Sequence, residues 1–151
     1  MCVFLGQFNN FSYFCSNGLL SNYAIIYVNT YVSATNKEMT KNIAIFASGN
    51  GSNAQRIVEY FANNESIKVA CIIYNRKEAY VAERAKLLSV EAQYFNKKDF
   101  QDPQLVPQYL KDKGIDYIIL AGFLLQVPDS IISLYNGKIL NIHPSLLPKH
   151  G

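Results

Sequence analysis

Asn42-Ile43-Ala44-Ile45-Phe46-Ala47-Ser48-Gly49-Asn50-Gly51-Ser52-Asn53 passes from an apolar run through a glycine-rich turn to a helix start, the order of elements that opens an α/β domain. Asn42–Ala47, with its unbroken apolar run Ile43–Ala47, reads as a strand buried on both faces. The glycines let the backbone turn tightly, and Ser52 or Asn53 is placed to cap the helix that follows. In that helix Ala54, Ile57, Val58 and Phe61 fall at i, i+3, i+4 and i+7 and predict one apolar face. A strand feeding directly into an amphipathic helix is the opening of a βαβ unit.

The pattern repeats downstream. Ile67 to Tyr74 predicts a second buried strand, and Val81, Ala82, Ala85 and Leu88 the stripe of a second helix. Ala92 to Phe95 reads as a short third strand. A third helix should begin between Pro103 and Pro107 and stop at Gly114, since Pro favours helix starts and Gly favours helix ends. Asp116 to Ala121, Pro128 to Tyr135 and Lys138 to Asn141 then read as strand, helix and strand. Strands alternating with helices imply right-handed crossovers, hence a Rossmann-like α/β fold: a parallel sheet with helices on both faces. Ligands of such sheets bind beyond the carboxyl ends of the strands, where the polar clusters of this chain fall.

The first of these clusters is the glycine loop. Exposed N–H groups at a helix start, with the helix dipole behind them, favour a phosphate at Gly51, Ser52 and Asn53. An NAD site would call for an acidic residue at the end of the second strand. That strand ends Tyr74-Asn75-Arg76, so an NADP-binding oxidoreductase fragment is the reading that competes for this loop. The second cluster is Asn141-Ile142-His143-Pro144-Ser145-Leu146-Leu147-Pro148. Asn141 and His143, two positions apart on a strand, should share a face, and Pro144 and Pro148 prevent a helix from following. An amide beside an imidazole suits stabilisation of an oxyanion and movement of a proton.

Length and composition place these clusters in one globular domain. The 151 residues are half hydrophobic and carry a net charge of +3, with Lys and Arg scattered rather than massed, so no nucleic-acid partner is indicated. No run of about twenty apolar residues suggests a membrane span. Cys2, Cys15 and Cys71 lack metal-site spacing and cannot all pair, as expected of a cytoplasmic protein. Residues 1–36 differ from the rest: they hold no charged side chain and are crowded with Phe, Tyr, Asn and Ser. That composition resembles translated AT-rich DNA. Residues 1–38 are accordingly expected to be a non-native or disordered extension with Met39 as the natural start, and 39–151 to be the domain. Tyr23 to Val32 alone could pass for a strand.

Taken together, Ser48-Gly49-Asn50-Gly51-Ser52-Asn53, Leu120-Ala121-Gly122-Phe123 and Asn141 to Pro148 resemble the phosphoribosylglycinamide formyltransferase family of folate-dependent enzymes of purine (IMP) biosynthesis. The resemblance covers Met39 to Gly151. It implies transfer of a formyl group from the cosubstrate 10-formyltetrahydrofolate to the amine of glycinamide ribonucleotide, with no metal. By position it implies that Gly51, Ser52 and Asn53 hold the ribonucleotide phosphate and that Leu124, Leu125, Gln126 and Val127 line the folate pocket. Asn141 would bind the formyl oxygen, and His143 would be the catalytic acid. The family's basic folate contact has no clear match, although Lys97 and Lys98 are near. Its aspartate beyond the histidine has no match up to Gly151, so little or no turnover is expected of this polypeptide, and an inactive fragment is the further alternative. A bare sheet edge is expected near Asn141.

Overall fold

The computed structural model describes residues 4–8, 11–15, 22–33 and 40–143. The elements, in chain order, are β1 (Phe4–Phe8), β2 (Phe11–Cys15), α1 (Asn22–Ser33), β3 (Lys41–Ala47), α2 (Ser52–Phe61), β4 (Ile67–Tyr74) and α3 (Val81–Leu87). They continue with β5 (Glu91–Tyr94), α4 (Lys97–Gln101), α5 (Leu105–Asp112), β6 (Tyr117–Ala121), α6 (Asp129–Leu134) and β7 (Ile139–His143). The strands form one sheet in the order β1-β2-β7-β6-β3-β4-β5. From β7 to β5 every pairing is parallel, as the alternation of strands and helices requires.

Strand periodicity sorts the core into two layers. Ile43, Ile45 and Ala47 of β3 point to one side, with Ile57, Val58 and Phe61 of α2, Ala85 of α3, and Val28 and Val32 of α1. Ala44 and Phe46 point to the other side, with Phe100 of α4, Val106 and Leu110 of α5, and Ile131 of α6. β6 divides the same way: Tyr117, Ile119 and Ala121 belong to the first layer, Ile118 and Leu120 to the second. Because successive strand side chains face opposite sides, both sides of β3 and β6 must be apolar, which is why those strands read as unbroken apolar runs.

Several expectations are corrected. Tyr23 to Val32 is helical rather than extended, lying inside α1, where the burial of Val28 and Val32 overrides the β preference of its Tyr, Ile and Val residues. α4 was not foreseen; its start is a capping box in which Asn96 Oδ1 accepts from the Lys98 and Asp99 amides while Asp99 receives the Asn96 N–H. The cap of α2 is neither Ser52 nor Asn53 but Gly51, in the left-handed region at φ 76° with no side-chain capping bond. The edge of β7 is not bare. β2 pairs with it in parallel, Tyr13 opposite Asn141 and Cys15 opposite His143, and β1 continues the sheet antiparallel to β2.

Candidate functional site

The sheet order places the site. After β3 the chain builds outward through β4 and β5, then returns to the other flank for β6 and β7. β3 and β6 are therefore neighbours from which successive connections diverge, the arrangement that opens a crevice at the carboxyl ends of the strands. The loop after β3, residues 48–51, and the loop after β6, residues 122–128, both emerge there.

The glycine loop is clamped by α3. The Val81 N–H donates to the Gly49 carbonyl at 3.2 Å, and Arg84 Nε and a terminal nitrogen reach the Asn50 carbonyl and Asn50 Oδ1 at 2.7 and 3.1 Å. The other terminal nitrogen of Arg84 donates to Gln55 Oε1 on α2, and its guanidinium lies 5.1 Å from the Tyr80 ring centroid. The guanidinium is thus committed to Asn50 of the loop and Gln55 of α2 and is not presented as a free cation. Gly51 has to be glycine twice over: its φ is positive, and a Cβ there would lie 2.6 Å from Val81 Cβ and 2.9 Å from Val81 Cα. The first intrahelical bond of α2 runs from the Gln55 N–H to the Gly51 carbonyl. The N–H groups of the preceding turn, including Ser52 and Asn53, have no intrahelical acceptor and face an anion's requirements directly. Gly51 is buried, Asn53 half-buried and Ser52 exposed.

The second loop walls a cleft of about 540 Å³. Leu124, Leu125, Gln126 and Val127 line it together with Lys97, Phe100 and Gln101 of α4 and with Asp129 at the start of α6. Val127 is buried, while Leu124 is 67% exposed, a large apolar side chain left uncovered at the rim. Phe123 holds the loop in place: its ring centroid lies 5.3 Å from that of Phe46 on β3 and 5.2 Å from that of Phe100. Such tilted and edge-on aromatic contacts each contribute about 1 kcal/mol beyond the area they bury.

All four apolar-loop residues singled out from the sequence thus meet in one cleft, and Gly51, Ser52 and Asn53 meet at the start of α2. Lys97, which the sequence left unassigned, also lines the cleft. Asn141 is not among the cleft's lining residues; it sits half-buried on β7, in register with Leu120 at the end of β6. The backbone of His143 closes β7, while its side chain and Pro144 to Gly151 lie outside the described residues. Among the described residues, no group of three His, Cys, Asp or Glu could hold a metal ion, and no helix is long and apolar enough to cross a membrane.

Sequence reasoning missed two contributors. Arg84 carried no local signal, because its partners lie on the preceding βα unit. Ser48 was quoted only as part of the glycine loop, yet its hydroxyl accepts the Leu124 N–H at 2.8 Å and its own N–H donates to the Gly122 carbonyl at 3.2 Å.

The molecule is an α/β domain with a parallel central sheet, in which a glycine loop with a helix start and the 122–128 loop with its cleft both lie beyond the carboxyl ends of β3 and β6. The chain belongs to the formyl transferase family, whose model matches residues 41–151. It is 36% identical over 116 residues to phosphoribosylglycinamide formyltransferase of Haemophilus influenzae, a match covering 74% of this chain and 55% of that one. Its identity to the Bacillus subtilis enzyme of the same name is 35%, over 72% of this chain and 58% of the relative. Among solved structures, glycinamide ribonucleotide transformylase 1 of Geobacillus kaustophilus is similar, with a TM-score of 0.67 and 38% identity over 74% of this chain and 62% of that one. The chain spans a little over half the length of the curated relatives it matches.

Proposed function

We propose that this chain binds glycinamide ribonucleotide and 10-formyltetrahydrofolate and serves formyl transfer between them in purine biosynthesis, in the cytoplasm. The observation that carries the reading is the joint placement of an anion-binding helix start and the 124–127 cleft at the crevice between β3 and β6, in a member of the formyl transferase family. Gly51, Ser52 and Asn53 take the ribonucleotide phosphate on their N–H groups. Leu124 to Val127 take the pterin, with flat apolar contact and backbone hydrogen bonds. Lys97, which also lines the cleft, supplies the positive charge that an anionic folate tail calls for.

In the reaction, the ribonucleotide amine adds to the formyl carbon, and the formyl oxygen becomes an oxyanion on a tetrahedral carbon. The bond from that carbon to the folate nitrogen then breaks as the amine proton moves to that nitrogen. Asn141 donates to the oxyanion, and His143 in its protonated form stabilises the same charge and mediates the proton transfer. One such donor contributes about 3–4 kcal/mol in acyl-transfer sites. The family match lends no support to a nicotinamide site.

Calorimetric titration of the chain with each ligand, followed by a formyl-transfer assay, tests the proposal. Saturable binding of both ligands supports it, with any turnover lost in Asn141→Ala and His143→Ala. Absence of binding for both ligands sinks it.

A further inference from the structure

Two ligand loops that leave different strands need something to fix their separation. Packing at the glycines that flank the joint does not do this: a side chain added at Gly49 or at Gly122 would meet nothing within 4 Å. Phe123 fixes the second loop against α4, and Arg84 and Val81 fix the first loop against α3. Neither of these ties one loop to the other.

Ser48 does. It is fully buried, the only buried serine, threonine, amide or charged side chain among the described residues. Its N–H donates to the Gly122 carbonyl at 3.2 Å and its Oγ accepts the Leu124 N–H at 2.8 Å. Two bonds from one residue therefore span the crevice and grip the second loop on both sides of Phe123. Without the hydroxyl, the Leu124 N–H would lose this acceptor beside a buried strand end, a costly state for a backbone group.

We propose that Ser48 is a positioning residue that seats the 122–127 loop against the glycine loop and thereby sets the register between the folate cleft and the phosphate site. The proposal rests on the reading of the 124–127 cleft as the folate site. Ser48 touches neither ligand; it acts through the backbone of Leu124. Since α3 holds the glycine loop independently, loss of the hydroxyl should weaken the folate side and leave the phosphate side nearly intact.

The test titrates the full chain with folic acid and, separately, with inorganic phosphate, for wild type, Ser48→Ala and Ser48→Thr. One net hydrogen bond corresponds to about a fivefold change in affinity, so Ser48→Ala should weaken folic acid by about fivefold or more while phosphate shifts by less than about twofold. Ser48→Thr, which keeps the oxygen, should recover most of the folic acid affinity. Should Ser48→Ala melt below the assay temperature, the joint is broken from its other end. Leu124→Pro removes the donating N–H, and Leu124→Ala, which keeps it, is the reference; the proline variant should bind folic acid more weakly than the alanine one. Equal folic acid affinities within either pair overturn the role of Ser48, as does a parallel loss of both ligands in Ser48→Ala. A wild-type chain that binds phosphate but not folic acid overturns the reading of the cleft, and the inference with it.

Discussion

Gly51 shows how one atom can decide a ligand loop. At φ 76° an L side chain is strained, and a Cβ would sit 2.9 Å from the Val81 backbone, which cannot step aside as a flexible side chain would. Strain and overpacking together make Gly51→Ala cost about 2–4 kcal/mol, whereas Gly49→Ala, with open space around it, should cost less than about 1 kcal/mol. Urea denaturation of the two variants checks this, and equal midpoints would show that α3 does not clamp the loop. A second residue-scale consequence concerns pH. Burial, then the charge of Glu91, pushes the Cys71 thiol from 9.0 up to about 11, while Glu91 itself is held below its usual range by hydrogen bonds from Lys113 and Tyr109. The folded state thus keeps the Cys71 proton where the unfolded chain releases it. This stability is fully present below pH 9 and is lost as pH rises towards about 11. Melting temperatures between pH 9 and pH 11 should fall for wild type and fall less for Cys71→Ala.

Among the elements, those whose signal is local are legible in the sequence. β3, β4 and the buried face of α2 follow from runs and spacings within a dozen residues, and Ala54, Ile57, Val58 and Phe61 are the residues that α2 buries. The two elements that depart from the sequence expectation, α1 and α4, share a cause. α1 carries Tyr, Ile, Val and Thr at strand-like density and becomes helical because Val28 and Val32 fit the layer beside α2, which is information held elsewhere in the chain. α4 spans only Lys97–Gln101, too short for a period to show, and its one legible sign was the Asn96-x-x-Asp99 box. The same limit explains the site: glycines and apolar residues announced both loops, but the bond between Ser48 and Leu124 joins residues 76 apart and has no local trace. Because α4 has so few internal bonds, its cap matters more than usual. Asn96→Ala should cost about 1 kcal/mol in chemical denaturation. It should also weaken ligands of the cleft, since α4 presents Lys97 and Phe100 to it; an unchanged folic acid affinity would mean that the α4 wall is held by Phe100 packing alone.

For the molecule as a whole, the open question is what residues 1–38 contribute. The packing gives this segment's described elements, β1, β2 and α1, a structural part. β2 occupies the flank of β7 from Leu140 to His143, α1 buries Val28 and Val32 against the first core layer, and the Tyr31 hydroxyl donates to the Gly137 carbonyl at 3.0 Å just before β7 begins. A chain begun at Met39 would leave the N–H and C=O groups on that side of β7 unpaired, next to the strand that carries Asn141, and unpaired strand edges template association. It would also lose the burial of two valines, each contributing about 1.5–3 kcal/mol when fully covered. The shortened chain should therefore melt at a lower temperature than the full chain and sediment as larger species as concentration rises. Matching melting and sedimentation for the two chains would mean that residues 1–38 are a passive appendage and that β7 needs no neighbour on that side.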